Sequence, residues 1–351
     1  MKPATPDIIP LIVITGFLGS GKTTLLRKLL TTDLGGETAV LINELGEIGI
    51  DHLLVGEIAP DTVLLKSGCV CCSIRGDLKD ALVQLFSRRQ KEEIPRFRRI
   101  ILETTGLADP APIFATVLAD PMLRHHFSLG VIIAVVDSFN ATLHEQLHPE
   151  WMAQVTSADR LILTKIDLVP ELNHHTLRKH LQKINPTALI MANVEVKERD
   201  PLLLSAGLHE DSPESEAERW MRNFTRPIRP EDEGADIHTR HTDSEHSGIN
   251  SFCLVFDHQI DWTAFGLWLS MLLNRHGRSI LRVKGILNLS GSAYPIAIHG
   301  VQHLVHPPVH LSGWPDSDRR SRIVFIVRGL EPAAIERSLN TFCRYLGSSS
   351  F

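Results

Sequence analysis

The chain has 351 residues, of which 43% are hydrophobic and 22% charged, with a formal net charge of −5. This composition fits a globular protein with core enough for two domains. It excludes the strongly basic balance of a nucleic-acid binder or of a membrane-surface patch, so neither partner is expected. No apolar run approaches the ~20 residues that span a bilayer, and the opening MKPATPDIIP lacks the apolar stretch of a signal peptide, which predicts a cytoplasmic protein. Five cysteines cannot all pair, and three of them crowd into Cys69–Cys72, a distribution that points to reduced thiols and metal rather than disulfides.

Seven apolar runs alternate with helix-like stretches in the first half of the chain. They are Ile8–Ile14, Ala39–Ile42, Thr62–Leu65, Ile100–Leu102, Val131–Val136, Leu161–Leu163 and Ala188–Met191. Several are unbroken Val, Ile and Leu, as in strands buried on both faces. The alternation predicts an α/β domain over 1–204, a doubly wound and mostly parallel sheet that gathers ligands at the carboxyl ends of its strands. The polar stretch 205–249, which includes the acidic HEDSPESEAE, predicts a linker. His238, His241 and His246 stand there among Asp236, Asp243 and Glu245, a spacing that suits loose metal capture and an ordinary polar linker equally. Over 250–351 the strand candidates Ser251–Phe256, Ile280–Leu289, Tyr294–Ile298 and Ile323–Val327, with helices at Trp262–Leu273 and Pro332–Tyr345, predict a smaller α+β domain. Cys253 and Cys343 fall at core positions of these elements.

Between the first strand candidate and the helix-like Leu25–Leu30 lies GFLGSGKT, Gly16 to Thr23. This is the G-x-x-x-x-G-K-[ST] phosphate cradle in the strand-then-helix context that it requires. Gly16, Gly19 and Gly21 allow the tight backbone path, and the N–H groups of the loop, Ser20 included, face phosphate oxygens at a helix N-terminus that also carries Thr24. Lys22 reaches the β- and γ-phosphates, and the Thr23 hydroxyl suits Mg²⁺. The chain is therefore expected to bind a nucleoside triphosphate.

Each later motif also follows an apolar run. IILETTG places Glu103 at a strand end, where it would act on the Mg²⁺ shell, and Gly106 where its N–H senses a γ-phosphate. TKID supplies Thr164, Lys165 and Asp167: the aspartate would accept from guanine N1–H and the exocyclic amine, which adenine cannot match, and the lysine stem would lie over the base. These residues select GTP and GDP over ATP. NELGEIGID, after the second run, reads as a switch loop in which Glu44, Glu47 and Asp51 are candidates for Mg²⁺, the attacking water or a second metal. No glutamine stands where small signalling GTPases orient water, which predicts slow hydrolysis until a partner or a dimer completes the site. GCVCCS offers three thiols, Cys69, Cys71 and Cys72, a donor set for Zn²⁺, Cu⁺ or Co²⁺ that leaves one coordination position open. A transient disulfide at the same thiols is the rival reading.

Taken together, GFLGSGKTT, NELGEIGID, GCVCCS, ETTGLADP and TKID resemble, in order, the motifs of CobW-type P-loop GTPases, relatives of the nickel-insertion GTPases. HSGINSF, LRVKGIL, GVQHLV and SRIVFIVRG resemble their C-terminal domain. The resemblance implies a metallochaperone that holds a transition metal on Cys69, Cys71 and Cys72, gates its affinity with GTP, and delivers it to a client metalloprotein or a cofactor-synthesis protein. Zn²⁺ is the first choice of cargo and Co²⁺ the second. The stretch ATPDIIP lacks the cysteine motif that the zinc-transfer subgroup carries before its first strand. Two alternatives belong to other classes: a GTP-dependent regulator that uses the CVCC thiols as a redox sensor, and a GTP-dependent enzyme acting on a small substrate.

Overall fold

The computed structural model describes residues 8–31, 38–42, 64–66, 74–196, 203–204, 207–209, 213–221, 237–242 and 248–347. Two compact units emerge, one of residues 1–175 with 189–209, the other of residues 176–188 with 210–351.

All seven apolar runs of the first half become strands. They are β1 (Ile9–Thr15), β2 (Thr38–Ile42), β3 (Leu64–Lys66), β4 (Arg99–Glu103), β5 (Phe127–Asp137), β6 (Arg160–Thr164) and β7 (Leu189–Ala192). They pair in the order β3-β2-β4-β1-β5-β6-β7, every neighbouring pair parallel. This is the doubly wound sheet expected from the alternation. The described helices of this half are α1 (Lys22–Leu30), α2 (Ile74–Gln90), α3 (Ala111–Ala119), α4 (Pro121–His126), α5 (Ala141–Leu147), α6 (Pro149–Ser157) and α7 (Glu171–Ile184). Ile12 and Ile14 of β1, Ile101 of β4, Ile133 and Val135 of β5 and Ile162 of β6 share one core cluster with Leu25, Leu26, Leu29 and Leu30 of α1. The first helical turn after the glycine-rich loop is anchored by that apolar stripe rather than by a side-chain cap, which Gly21 cannot supply. Ser20 and Lys22 are thereby held at the carboxyl end of β1, beside β4 and β5.

The second unit is built on an antiparallel sheet of β8 (Ile237–Thr242), β9 (Ile249–Phe256), β10 (Ile280–Leu287), β11 (Ile296–Val301), β12 (Leu304–Val305), β13 (Val309–His310) and β14 (Ser321–Arg328). The order is β12-β11-β10-β14-β9-β8, and β13 also pairs with β11. Its described helices are α8 (Pro213–Met221), α9 (Trp262–His276) and α10 (Pro332–Gly347), together with residues 176–184 of α7. Alternation decides its core: Phe252, Leu254 and Phe256 of β9 and Ile323, Phe325 and Val327 of β14 meet Phe265, Trp268 and Leu339 of the helices. Phe252 and Phe325 are register partners and stack at 5.5 Å. The alternate residues are buried too, among them Lys284, which is 0% exposed and lies with its ammonium 4.4 Å from the ring centre of Trp220 of α8. Cys253 is a buried packing residue, as its strand position predicts. The side chain of Cys343 lies outside what is described.

The stretch 205–249, read as a linker, contributes both α8 and β8. Polar composition hides them. Glu216 of α8 is buried because it pairs with Arg219 and accepts from the Trp220 indole at 3.0 Å. Strand β8 is an edge strand with a polar sequence, IHTRHT, that pairs along its whole length with β9. A Phe325→Ala substitution should cost the second unit about 3–5 kcal/mol, read as a lower urea midpoint through the fluorescence of neighbouring Trp268. An unmoved midpoint would reject this core assignment.

Candidate functional site

The P-loop leaves β1 at Gly16, whose φ of 142° is open to glycine and strained for other residues. A Cβ built there would lie 2.4 Å from the Val135 carbonyl oxygen of β5, so the loop turns tightly against the neighbouring strand. Lys22 folds back over the loop, its Nζ donating to the Gly16 carbonyl at 2.9 Å and the Phe17 carbonyl at 3.2 Å. The ammonium thus lies against the backbone of the loop. The Thr23 hydroxyl donates to Glu103 Oε1 at 2.7 Å, and Glu103, at the end of β4, is 4% exposed. A hydroxyl and a carboxylate oxygen side by side form the hard oxygen donor set that suits Mg²⁺. Thr24 is exposed on the first turn of α1.

The loop after β4 packs on the P-loop itself. Thr104 donates through its backbone to the Ile14 carbonyl and through its hydroxyl to Thr15 Oγ1, both at 2.9 Å. A Cβ on Gly106 would lie 2.6 Å from the backbone nitrogen of Leu18, a spacing that only glycine permits.

The TKID segment joins from β6. The Thr164 hydroxyl donates to the Ser20 carbonyl of the P-loop at 2.7 Å and approaches the Val136 carbonyl at 3.2 Å. Lys165 takes the left-handed backbone, with φ 53°, and opens a 3₁₀ turn over Ile166–Leu168. Its Nζ donates to Asp137 Oδ2 at 2.7 Å. Asp137 ends β5, is 2% exposed, and also accepts from the Phe139 and Asn140 backbones and the Asn140 amide. Burial pushes this carboxyl up, but the Lys165 and Asn140 donors outweigh it and hold it below the ordinary aspartate range. Asp167 is exposed and makes no hydrogen bond to another described residue, which leaves its carboxylate open to a ligand.

Sequence reasoning passes over two parts of this arrangement. Asp137 is one; its signal is a charged residue at the carboxyl end of a buried parallel strand. The other is a histidine pair. The Phe17 ring of the P-loop lies 4.4 Å from the His144 ring of α5 and 4.3 Å from that of His148, which precedes α6. Burial, with His148 and Lys165 adding to it and Asp137 opposing, holds His144 below the ordinary histidine range, so its ring is neutral at neutral pH. No sequence spacing announces that cluster.

The structure therefore brings together Gly16, Ser20, Gly21, Lys22, Thr23, Glu103, Gly106, Thr164 and Lys165. Glu44, Glu47, Asp51, Cys69, Cys71, Cys72 and His246 lie outside the described residues, as do the side chains of His238 and His241 on β8. Among the described residues no three His, Cys, Asp or Glu side chains gather into a metal site, and no helix is long and apolar enough to cross a membrane.

Comparison with known proteins bears on the whole chain. Residues 10–192 match the CobW/HypB/UreG nucleotide-binding domain, and residues 249–343 match the cobalamin synthesis protein CobW C-terminal domain. Zinc chaperone YjiA of Escherichia coli is 32% identical over 322 residues, 91% of this chain and 93% of that protein. Zinc chaperone CobW of a Sinorhizobium species is 27% identical over 369 residues, 94% of this chain and 96% of its own. The crystal structure of the Zn(II)-bound YjiA GTPase from E. coli superposes with a TM-score of 0.67 at 29% identity, covering 95% of this chain and 99% of that one. Motif order, sheet order and both domain matches agree that this chain belongs to the CobW/HypB/UreG family of P-loop proteins, with a CobW-type C-terminal domain.

Proposed function

We propose that this protein is a GTP-hydrolysing zinc metallochaperone. The observation that carries the nucleotide half is the Thr164–Ser20 hydrogen bond, which ties a guanine-selecting segment to a phosphate loop already furnished with Lys22, Thr23 and Glu103. In this reading the loop amides from Gly16 to Thr24 and the Lys22 ammonium neutralise the phosphates, and Asp167 reads the guanine edge while the Lys165 stem covers the base. Thr23 and Glu103 would hold Mg²⁺, which when bound supplies charge neutralisation between the β- and γ-phosphates. Gly106 presents its N–H to the γ-phosphate. Glu47 or Asp51 orients the water that attacks phosphorus as the bond to the β-phosphate oxygen breaks. With no glutamine in the switch segment, intrinsic turnover is slow.

The zinc half is supported by the names of the relatives and by the CVCC thiols. Cys69, Cys71 and Cys72 hold the cargo ion, Zn²⁺ first and Co²⁺ second, at a site whose affinity differs between the GTP and GDP states. A client metalloprotein or cofactor-synthesis protein in the cytoplasm receives it, and a second copy of the chain is a candidate to complete the site.

Three measurements test this. Lys22→Ala should weaken GTP binding by calorimetry at least ~100-fold with the circular dichroism spectrum unchanged, and unchanged affinity refutes the phosphate-site assignment. Asp167→Asn should reduce the preference for GTP over ATP by about 10–100-fold; a preference that survives intact rejects the base-reading role. Anaerobic titration of reduced protein with Co²⁺ and Zn²⁺, in GDP and in a non-hydrolysable GTP analogue, should give thiolate charge-transfer absorption that depends on nucleotide and vanishes in the Cys69, Cys71 and Cys72→Ser variant. Absence of a thiolate signal in every state would turn the reading toward redox sensing.

A further inference from the structure

Gln154 lies on α6, far in sequence from every motif, and is 1% exposed. Its Nε2 donates to the carbonyls of Gly106 and Ala108, both at 3.1 Å. Because both partners are acceptors, the orientation of the amide is dictated: nitrogen toward the loop, oxygen away from it. The oxygen, Oε1, is buried and has no hydrogen-bond partner among the described residues. A buried carbonyl without a donor is costly, so this amide is only half satisfied.

The loop it holds has little freedom on its other contact. The α-carbon of Gly106 is pressed on the Leu18 backbone of the P-loop, leaving no room even for a methyl group. The turn is closed by the Ala108 N–H, which donates to the Thr105 carbonyl at 3.1 Å, so a second arrangement of residues 105–108 would trade that bond for another. Gln154 is suited to two such arrangements. In the one described, its N–H groups take two loop carbonyls. In a second, the amide itself turns over, so that Oε1 faces the loop and accepts from a peptide N–H there. The same helix is preceded by His148, whose ring stacks on Phe17, so this element touches both phosphate loops.

We propose that Gln154 is the positioning residue of the γ-phosphate loop: it determines which backbone N–H groups of residues 105–108 face the terminal phosphate, and so sets the preference for GTP over GDP. This rests on the reading of the chain as a GTPase with Gly106 as its γ-phosphate sensor. The residue touches no reacting atom; it acts through the loop it holds.

The test uses the full chain with Mg²⁺ and compares GDP with a non-hydrolysable GTP analogue by calorimetry. Gln154→Met keeps the volume and removes both donors. It should weaken the analogue about tenfold while GDP stays within about twofold. A loss shared equally by both nucleotides, or no loss, overturns the proposal, because a merely structural role would not move the ratio. Should this variant fail to fold, wild-type protein with nitrogen-15-labelled glutamine answers the same question. Nuclear Overhauser contacts from the Gln154 amide to Gly106 and Ala108 should differ between the two nucleotides, and identical contacts in both overturn the role. Wild type that binds neither nucleotide rejects the GTPase reading as well. Wild type that prefers the GTP analogue, with the preference intact in Gln154→Met, rejects the role of Gln154 alone.

Discussion

One hydroxyl group holds the two ends of the candidate site together. Thr164 ends β6, Ser20 precedes α1, and 144 residues of chain separate them, yet a buried 2.7 Å hydrogen bond joins the two. Guanine selection and phosphate binding are jobs for different segments, and they yield one ligand site only if their separation is fixed to a fraction of an ångström. The parallel sheet sets that separation coarsely, by placing the ends of β1, β5 and β6 side by side. The threonine fixes it finely. Its methyl group packs toward Gly21, 3.6 Å from where a Cβ would stand.

The charges around this joint are arranged so that few are left without a counterpart. Lys22 lies on carbonyl oxygens, Thr23 on Glu103, and Lys165 on Asp137. The last pair matters because Lys165 occupies a left-handed backbone conformation that is strained for a residue with a side chain. The ion pair and the 3₁₀ turn that follows hold it there. In the GTPase reading, that strain is what aims the lysine stem and Asp167 at the same face of a base. Polar groups that are buried but hydrogen-bonded thus give the site its rigidity, whereas the core beneath it is ordinary aliphatic packing.

How much of this was legible in the sequence depended on whether the relevant contacts were local. The glycine-rich loop announces itself because phosphate binding demands small residues, a lysine and a hydroxyl at consecutive positions. Strands β1, β2, β4, β5 and β6 are legible because burial on both faces makes each a nearly continuous apolar run. The helix α8 and the strand β8 were not, because their partners, Trp220 with Glu216 for one and the length of β9 for the other, are nowhere near the average composition that a polar stretch displays. His144 and Gln154 were illegible for a different reason, and Asp137 shows only as a charge that closes an apolar run. Each is an unremarked polar residue whose meaning comes from a carbonyl, a ring or an ammonium brought to it by the fold. The motifs list what touches the ligand; the residues that hold the motifs carry no pattern of their own.

The packing of two imidazoles against Phe17 has a consequence for observation. An aromatic ring shifts the magnetic environment of protons stacked over its face, so the carbon-bound protons of His144 and His148 carry ring-current shifts set by the tilt of Phe17. Imidazole resonances fall in an uncrowded part of a proton spectrum. This chain therefore carries native spectroscopic reporters on its phosphate loop, and a change in the pose of that loop becomes visible without any label attached to it.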